Sequence, residues 1–173
     1  MKKLHVSVLC LLLVGLQAFV VLNAWKVKAG EASVKFTAGK IKGSFKGLKA
    51  DINFSKAHPE QAKISASIES GTIATGFFLK NSHAKDALGA DKYPLIKFVS
   101  SSVAKSGAGY IAKGNLTLKG VTRPSAINFT FEEKGKEGVF KGNMTVNPKD
   151  FGIDRSGTPE KVVIQLLVPV TSS

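Results

Sequence analysis

The sequence predicts an all-β fold: seven to nine antiparallel strands with short turns and one brief helix, arranged as a sandwich or a closed barrel. Three observations carry this. Residues 110–131 read as a hairpin, with Leu116 and Leu118 alternating with Asn115, Thr117 and Lys119, and Ile127, Phe129 and Phe131 alternating with Ala126, Asn128 and Thr130. Period-two patterning rich in Thr and aromatics marks half-buried strands. A lone hairpin is marginal, and the same alternation recurs along the chain to supply further strands. Glycines fall at strand bends, which favours the barrel, because closure demands tight curvature.

Each element follows from its residues. Trp25-Lys-Val-Lys is a short first strand, and after Gly30 residues 33–38 alternate again, with Val34 and Phe36 on one face. Ile41-Lys-Gly-Ser-Phe45 comes next, with Gly43 marking a bend or bulge. The phase slips at Lys46-Gly47, where a bulge or sharp corner lets one long strand curve around a barrel wall. His58-Pro-Glu60 is a turn, residues 62–69 a clean strand, and residues 79–88, ended by Gly89, the one stretch that looks helical. Strands follow from Tyr93 to Val103, through the central hairpin with Gly120 and Pro124 at its corner, and over 139–146. Asn147-Pro-Lys-Asp-Phe-Gly152 breaks the pattern. Residues 162–171 are apolar at nearly every position, so both faces of this last strand are expected to be covered, under the helix or against the first strand.

The start of the chain is of another kind. Met1-Lys2-Lys3 precedes an apolar run over residues 6–22, and Leu22-Asn-Ala24 supplies a small residue before Trp25. This describes a secretory signal peptide cleaved after Ala24, or after Ala18, and hence a periplasmic or secreted protein; the rival reading is an uncleaved membrane anchor. Removing residues 1–24 leaves 149 of the 173 residues, enough for one domain with a full core. The only cysteine, Cys10, leaves with the signal, which removes disulfides, thiolate catalysis and Cys-ligated metal. The mature domain carries 23 basic residues against 12 acidic ones. That excess suits polyanions or an anionic membrane surface, but the lysines are spread between apolar strand residues, as on a solvated outer sheet face.

Catalytic patterns are scarce. The mature chain has two histidines, His58 and His83, without clustered carboxylates, and no GxSxG elbow, phosphate-binding glycine loop or HExxH helix occurs. Asp150 and Asp154 flank a loop and do not make a convincing carboxylate pair. The chain therefore reads as a non-enzyme, with no metal and no catalytic residue expected. Phenylalanine is abundant, ten remaining after the signal, and most sit on the apolar faces of strands. They either fill a core or line a tubular cavity for a lipid-like chain.

The mature chain resembles the YceI-like proteins, a family of exported bacterial lipid- or polyisoprenoid-binding proteins with lipocalin-like barrels. The resemblance runs through Trp25-Lys-Val, Ser33-Val-Lys-Phe36, Ile41-Lys-Gly-Ser-Phe45, Ile52-Asn-Phe54, Ser70-Gly-Thr-Ile-Ala-Thr-Gly76 and Asn81-Ser-His83. It continues through Lys92-Tyr-Pro-Leu-Ile-Lys-Phe98, Ser100, residues 114–124 and Asp150-Phe-Gly-Ile153. It implies an extended eight-stranded antiparallel barrel closed by a short helix, with a polyisoprenoid, isoprenoid quinone or fatty-acid-like chain in the bore and no other cofactor. The lining so implied is Phe36, Phe45, Phe54, Ile68, Phe98, Tyr110, Leu116, Phe129, Phe131 and Met144, with Phe78 and Leu88 from the helical lid. His83, Lys92 and Lys149 are the residues that would meet a polar or anionic head. The chain departs from the family in having Pro148-Lys149 where an Arg usually precedes Asp-Phe-Gly, and Gly89-Ala90 where aromatics usually precede Tyr93-Pro94. The expected partners are a lipid or isoprenoid ligand and a transient anionic membrane surface, not nucleic acid, for a monomer or homodimer. A cationic secreted module for polyanions is the alternative reading.

Overall fold

The computed structural model describes residues 23–172, so the expected signal segment before Asn23 lies outside the described residues. Asn23 and Ala24, on the signal side of the expected cleavage, open the first strand and pair with Phe54 and Asn53. In chain order the elements are β1 (Asn23–Val27), β2 (Ser33–Ala38), β3 (Ile41–Phe45), β4 (Lys49–Phe54), β5 (Lys63–Glu69), α1 (Phe78–Leu88), β6 (Leu95–Ser106), β7 (Gly109–Leu118), β8 (Val121–Lys134), β9 (Glu137–Val146) and β10 (Val162–Ser172).

All the pairings are antiparallel, and they close a barrel. One edge of β10 is shared, β1 taking Val170 to Ser172 and β2 taking Val162 to Leu167. β1 and β2 are therefore two halves of one barrel strand. β3 and β4 are the halves of the next, pairing with β2 and β1 respectively. The break between them falls at residues 46–48, where Gly47 takes a φ of 74°, so the slip in phase is a corner in a single long wall. From β4 the sheet runs through β5, β6, β7, β8 and β9 to β10, which returns to β1. The ten segments make eight barrel strands. A bulge at Ser101 in β6 adds curvature. With 14 residues, β8 is about 45 Å long, which makes the barrel a tall one.

Strand direction sorts the turns to two ends. The 107–108 and 135–136 turns and the segment after β4 lie at one end; α1, the β7–β8 corner and the long β9–β10 connection lie at the other. Inward residues follow the predicted alternation: Leu116, Leu118, Phe129, Phe131, Phe140, Met144 and Val146 are all buried.

Three local expectations are corrected. Gly43 does not bulge; it pairs in register with Phe36, and a side chain there would collide with the Phe36 ring and the Ala74 carbonyl. Pro124 is not at the corner, which closes at Lys119 and Gly120 with φ of 52° and 75°, the positive values a tight hairpin turn requires. Pro124 lies inside β8 opposite Asn115, in the part that pairs with β7 alone, where a missing N–H disrupts no ladder on the other side. The last strand closes against β1 and β2, but its outer face is not covered: Val163 and Leu167 are each 42% exposed.

Candidate ligand-binding bore

The inside of the barrel is divided by depth. Towards the β1 end Phe54, with no exposed surface, sits in a ring of aromatics: Tyr110 at 4.9 Å, Phe131 at 5.4 Å, and Phe129 and Phe140 each at 5.6 Å between centroids, mostly edge to face. Phe131 stacks on Phe140 at 4.2 Å and meets Trp25 edge-on at 4.9 Å. The Trp25 indole donates to the Phe54 carbonyl at 3.1 Å, so its polar edge is satisfied. Gly138 makes room, since a side chain there would strike the Phe131 ring. This end is a solid plug, each aromatic pair adding about 0.5–1.5 kcal/mol beyond area burial.

Above the plug the barrel is hollow. A cavity of about 590 Å³ runs from Ala112, Phe129 and Phe140 past Ile68, Phe98, Leu116 and Met144 to Phe36, Phe45 and the helix. Its wall comes from the inward positions of every barrel strand, together with one face of α1. That face is Lys80, His83, Ala84, Ala87 and Leu88, spaced i, i+3, i+4, i+7 and i+8 as one side of a helix must be. Polar groups gather at the mouth: Thr75, Lys80, His83 and the loop Arg155-Ser-Gly-Thr158.

The rim is held by specific hydrogen bonds. The Thr75 N–H and hydroxyl both donate to Asn81 Oδ1, at 2.6 and 2.8 Å, fixing the segment before α1 to its first turns. Arg155 donates from its guanidinium to the Asp86 carbonyl at 3.1 Å, tying the β9–β10 connection to α1, and its N–H donates to Thr158 Oγ1 at 2.9 Å. Ser70, the only buried polar residue among those described, donates to the Tyr93 carbonyl at 2.8 Å. Gly89 caps α1 in the left-handed conformation at φ 59°, and Tyr93 packs against it and Gly120.

The residues expected to line the bore divide accordingly. Phe36, Phe45, Ile68, Leu88, Phe98, Leu116, Phe129 and Met144 lie on the cavity wall. Phe54, Tyr110 and Phe131 do not, because they are consumed by the plug. Phe78 does not either; it is 86% exposed, on the opposite side of α1 from the lining face. Of the three head-group residues, only His83 is at the mouth. Lys92 lies outside it with its ammonium over the Tyr93 ring, 5.4 Å from the centroid, and Lys149 pairs with Asp154 at 3.4 Å beside a separate polar depression. Lys80 and Arg155 stand at the mouth instead; the helical spacing of Lys80 from His83 signals the first, and nothing in the local sequence marks the second.

Resolved charge effects lie away from the bore. The Lys28 ammonium, just past the end of β1, and the Glu137 carboxylate at the start of β9 hydrogen-bond at 2.5 Å, raising the lysine above its ordinary value and lowering the glutamate below its own. Glu60 is lowered by its own backbone N–H, with His58 adding to the effect. Among the described residues no three His, Cys, Asp or Glu side chains come together as a metal site.

A family model described as the YceI-like domain matches residues 25–172. A UPF0312 protein of Pseudomonas savastanoi pv. phaseolicola is 36% identical over an alignment of 126 residues and is matched over 68% of this chain and 66% of that protein. One from Photorhabdus laumondii is 29% identical over an alignment of 136 residues and is matched over 74% of this chain and 71% of its own. The chain thus spans about two thirds of the length of the curated relatives it matches. Among solved structures, Burkholderia cenocepacia BcnA superposes with a TM-score of 0.79 at 24% identity, over 84% of this chain and 99% of BcnA. A polyisoprenoid binding domain from Saccharophagus degradans superposes at 0.65 with 12% identity, over 87% and 99% of the two chains. At these identities the likeness is one of fold.

Proposed function

Since the chain belongs to the YceI-like family, we propose that it is a carrier rather than an enzyme, holding the tail of a long-chain amphiphile in its barrel, in the periplasm or outside the cell. The observation that carries this reading is the cavity: about 590 Å³ of apolar space, floored by an aromatic plug and open beside α1. At about 30 Å³ per heavy atom, the share one water takes in the liquid, it accommodates about 20 chain atoms. A tail with about 15 buried methylenes gains about 12 kcal/mol. Set against the lower end of the cost of association, about 4 kcal/mol, this supports about micromolar binding without any polar contact.

The tail points at the plug and the head stays at the mouth, among Lys80, His83, Arg155 and Thr158. Binding needs no bond making and no cofactor; the lipid is cargo. A polyisoprenoid, an isoprenoid quinone and a fatty-acid-like lipid all meet the requirement of a slim apolar tail with a small polar end. The description of the Saccharophagus domain as polyisoprenoid-binding supports the first of these. Native mass spectrometry of the purified protein, followed by organic extraction, should release one lipid-sized molecule. A protein that is empty, and that takes up no prenol, quinone or fatty acid when these are offered, refutes the reading.

A further inference from the structure

The start of α1 carries the three most exposed large apolar side chains among the described residues. Phe77, Phe78 and Leu79 are 63%, 86% and 71% exposed, three large apolar side chains in a row. None lines the bore. Phe77 also occupies the N-cap position, where its side chain accepts no hydrogen bond, although Ser, Thr, Asp or Asn there would stabilise the helix. The turn therefore forgoes both burial and capping, which marks it for contact with something outside the chain.

Its surroundings say what that contact is. Residues 39–49 and 71–85 hold six lysines and no carboxylate. Ser44 and Ala74 form an antiparallel bridge, so the chain leaves Ala74 in the direction of Lys42, Ile41 and Lys40 before it bends at Gly76, where φ is 81°. Both lysines are exposed, as is Ile41, which is also on the cavity wall. The Lys80 ammonium sits over the Phe77 ring, 4.7 Å from its centroid, so charge and apolar surface are joined in one side-chain pair. An apolar tip ringed by cations is the pattern of a surface that enters the interface of an anionic bilayer.

We propose that the Phe77-Phe78-Leu79 tip, with Lys40, Lys42 and Lys80, docks the barrel mouth onto a lipid bilayer carrying anionic head groups. A second copy of this chain is the poorer occupant. Three side chains of this size offer roughly 400 Å², about half of what one partner gives to a standard interface, and the lysines of two copies would repel. Lys80 and His83 on the lining face follow directly on the tip, so docking brings the opening to the membrane and lets a tail pass without crossing water. That consequence rests on the carrier reading; the docking itself does not.

The test uses the full chain carrying Phe78→Trp, a substitution at an exposed site. Its emission is compared with that of the unaltered chain, whose one tryptophan, Trp25, is buried at the plugged end. Vesicles of phosphatidylglycerol and brominated phosphatidylcholine should blue-shift and quench the added indole, and vesicles of brominated phosphatidylcholine alone should do so weakly. Adding Lys40→Glu, Lys42→Glu and Lys80→Glu should raise the lipid needed for half-maximal quenching at least about tenfold. The indole reports only its own depth, and the described chain starts at the plugged end, where Asn23 pairs with Phe54, so attachment through residues 6–22 does not imitate the signal. An indole left unquenched by both vesicles overturns the proposal. So does concentration-dependent dimerisation in sedimentation that Phe77→Ser, Phe78→Ser and Leu79→Ser together abolish, which would assign the tip to self-association. Ligand uptake from detergent-free solution, measured on the Phe78→Trp chain with its lysines intact, tests the carrier reading separately.

Discussion

Replacing Ala112 by leucine distinguishes a hollow barrel from a packed one. Ala112 is buried on β7, two residues beyond the plug residue Tyr110, and its side chain lies on the floor of the cavity. Three added carbons fill about 90 Å³ at about 30 Å³ each, roughly a sixth of the 590 Å³ available. In a close-packed core such overfilling costs about 1–3 kcal/mol. In an empty bore it should be nearly neutral for the ligand-free protein. The effect instead falls on binding: a tail that fills the bore loses about three methylene contacts, about 2.4 kcal/mol, or about 50-fold in Kd. Tails at least three carbons too short to reach the floor should bind as before. Displacement of a fluorescent fatty acid by a series of chain lengths reads this, with thermal unfolding of the delipidated protein alongside. A fall in Tm with an unchanged chain-length optimum would refute the hollow interior.

Other outcomes follow from the same structure. Phe54→Ala empties the centre of the plug and should cost about 3–5 kcal/mol, a drop of at least about 6 °C in Tm for a domain of this size, measured calorimetrically. Gly120→Ala places a side chain at φ 75° and against the Tyr93 ring; it should destabilise the protein by about 1 kcal/mol or more, whereas Gly107→Ala, equally left-handed but in open space, should cost less in the same denaturant titration. His83→Ala and Arg155→Ala should change the preference among head groups on one tail, while Lys92→Ala and Lys149→Ala should not, as competition binding would show. Glu137 is lowered from its ordinary 4.5 and Lys28 raised from 10.5. Their pair therefore helps fully between those values, fades as pH falls through the depressed glutamate value, and fades again as pH rises through the raised lysine value. The small stability difference between the protein and its Glu137→Gln variant should be flat between those limits and shrink outside them.

Sequence reasoning reached the inward or outward sense of most strand residues because that sense is local. Alternation alone places Phe98, Leu116, Phe129 and Met144 inside. Depth along the barrel is another matter, since it depends on register between distant strands. Phe54 and Phe45 look alike in sequence, yet one is locked among Tyr110, Phe131 and Phe140 and the other faces the cavity. Ile52, Ile64, Ile127 and Ile164 also line the bore, and the same alternation marks them. In α1 residue type alone points both Phe78 and Leu88 inward, whereas the inner face is built from Ala84, Ala87 and Leu88 and Phe78 faces out. Of the two mouth cations, Lys80 stands one turn before His83 on the same helix face and is open to the helical period, whereas Arg155 reaches α1 across 69 residues of chain and is not.

The aromatic plug turns the tube into a cul-de-sac. What goes in tail first has to back out by the same door, and nothing can be pushed through from behind. The single mouth that serves entry and exit is framed by the Thr75–Asn81 and Arg155–Asp86 contacts, which tie α1 to its neighbours. On the carrier reading, the time a tail spends inside should lengthen with each methylene it buries, since leaving by the mouth returns all of them to water.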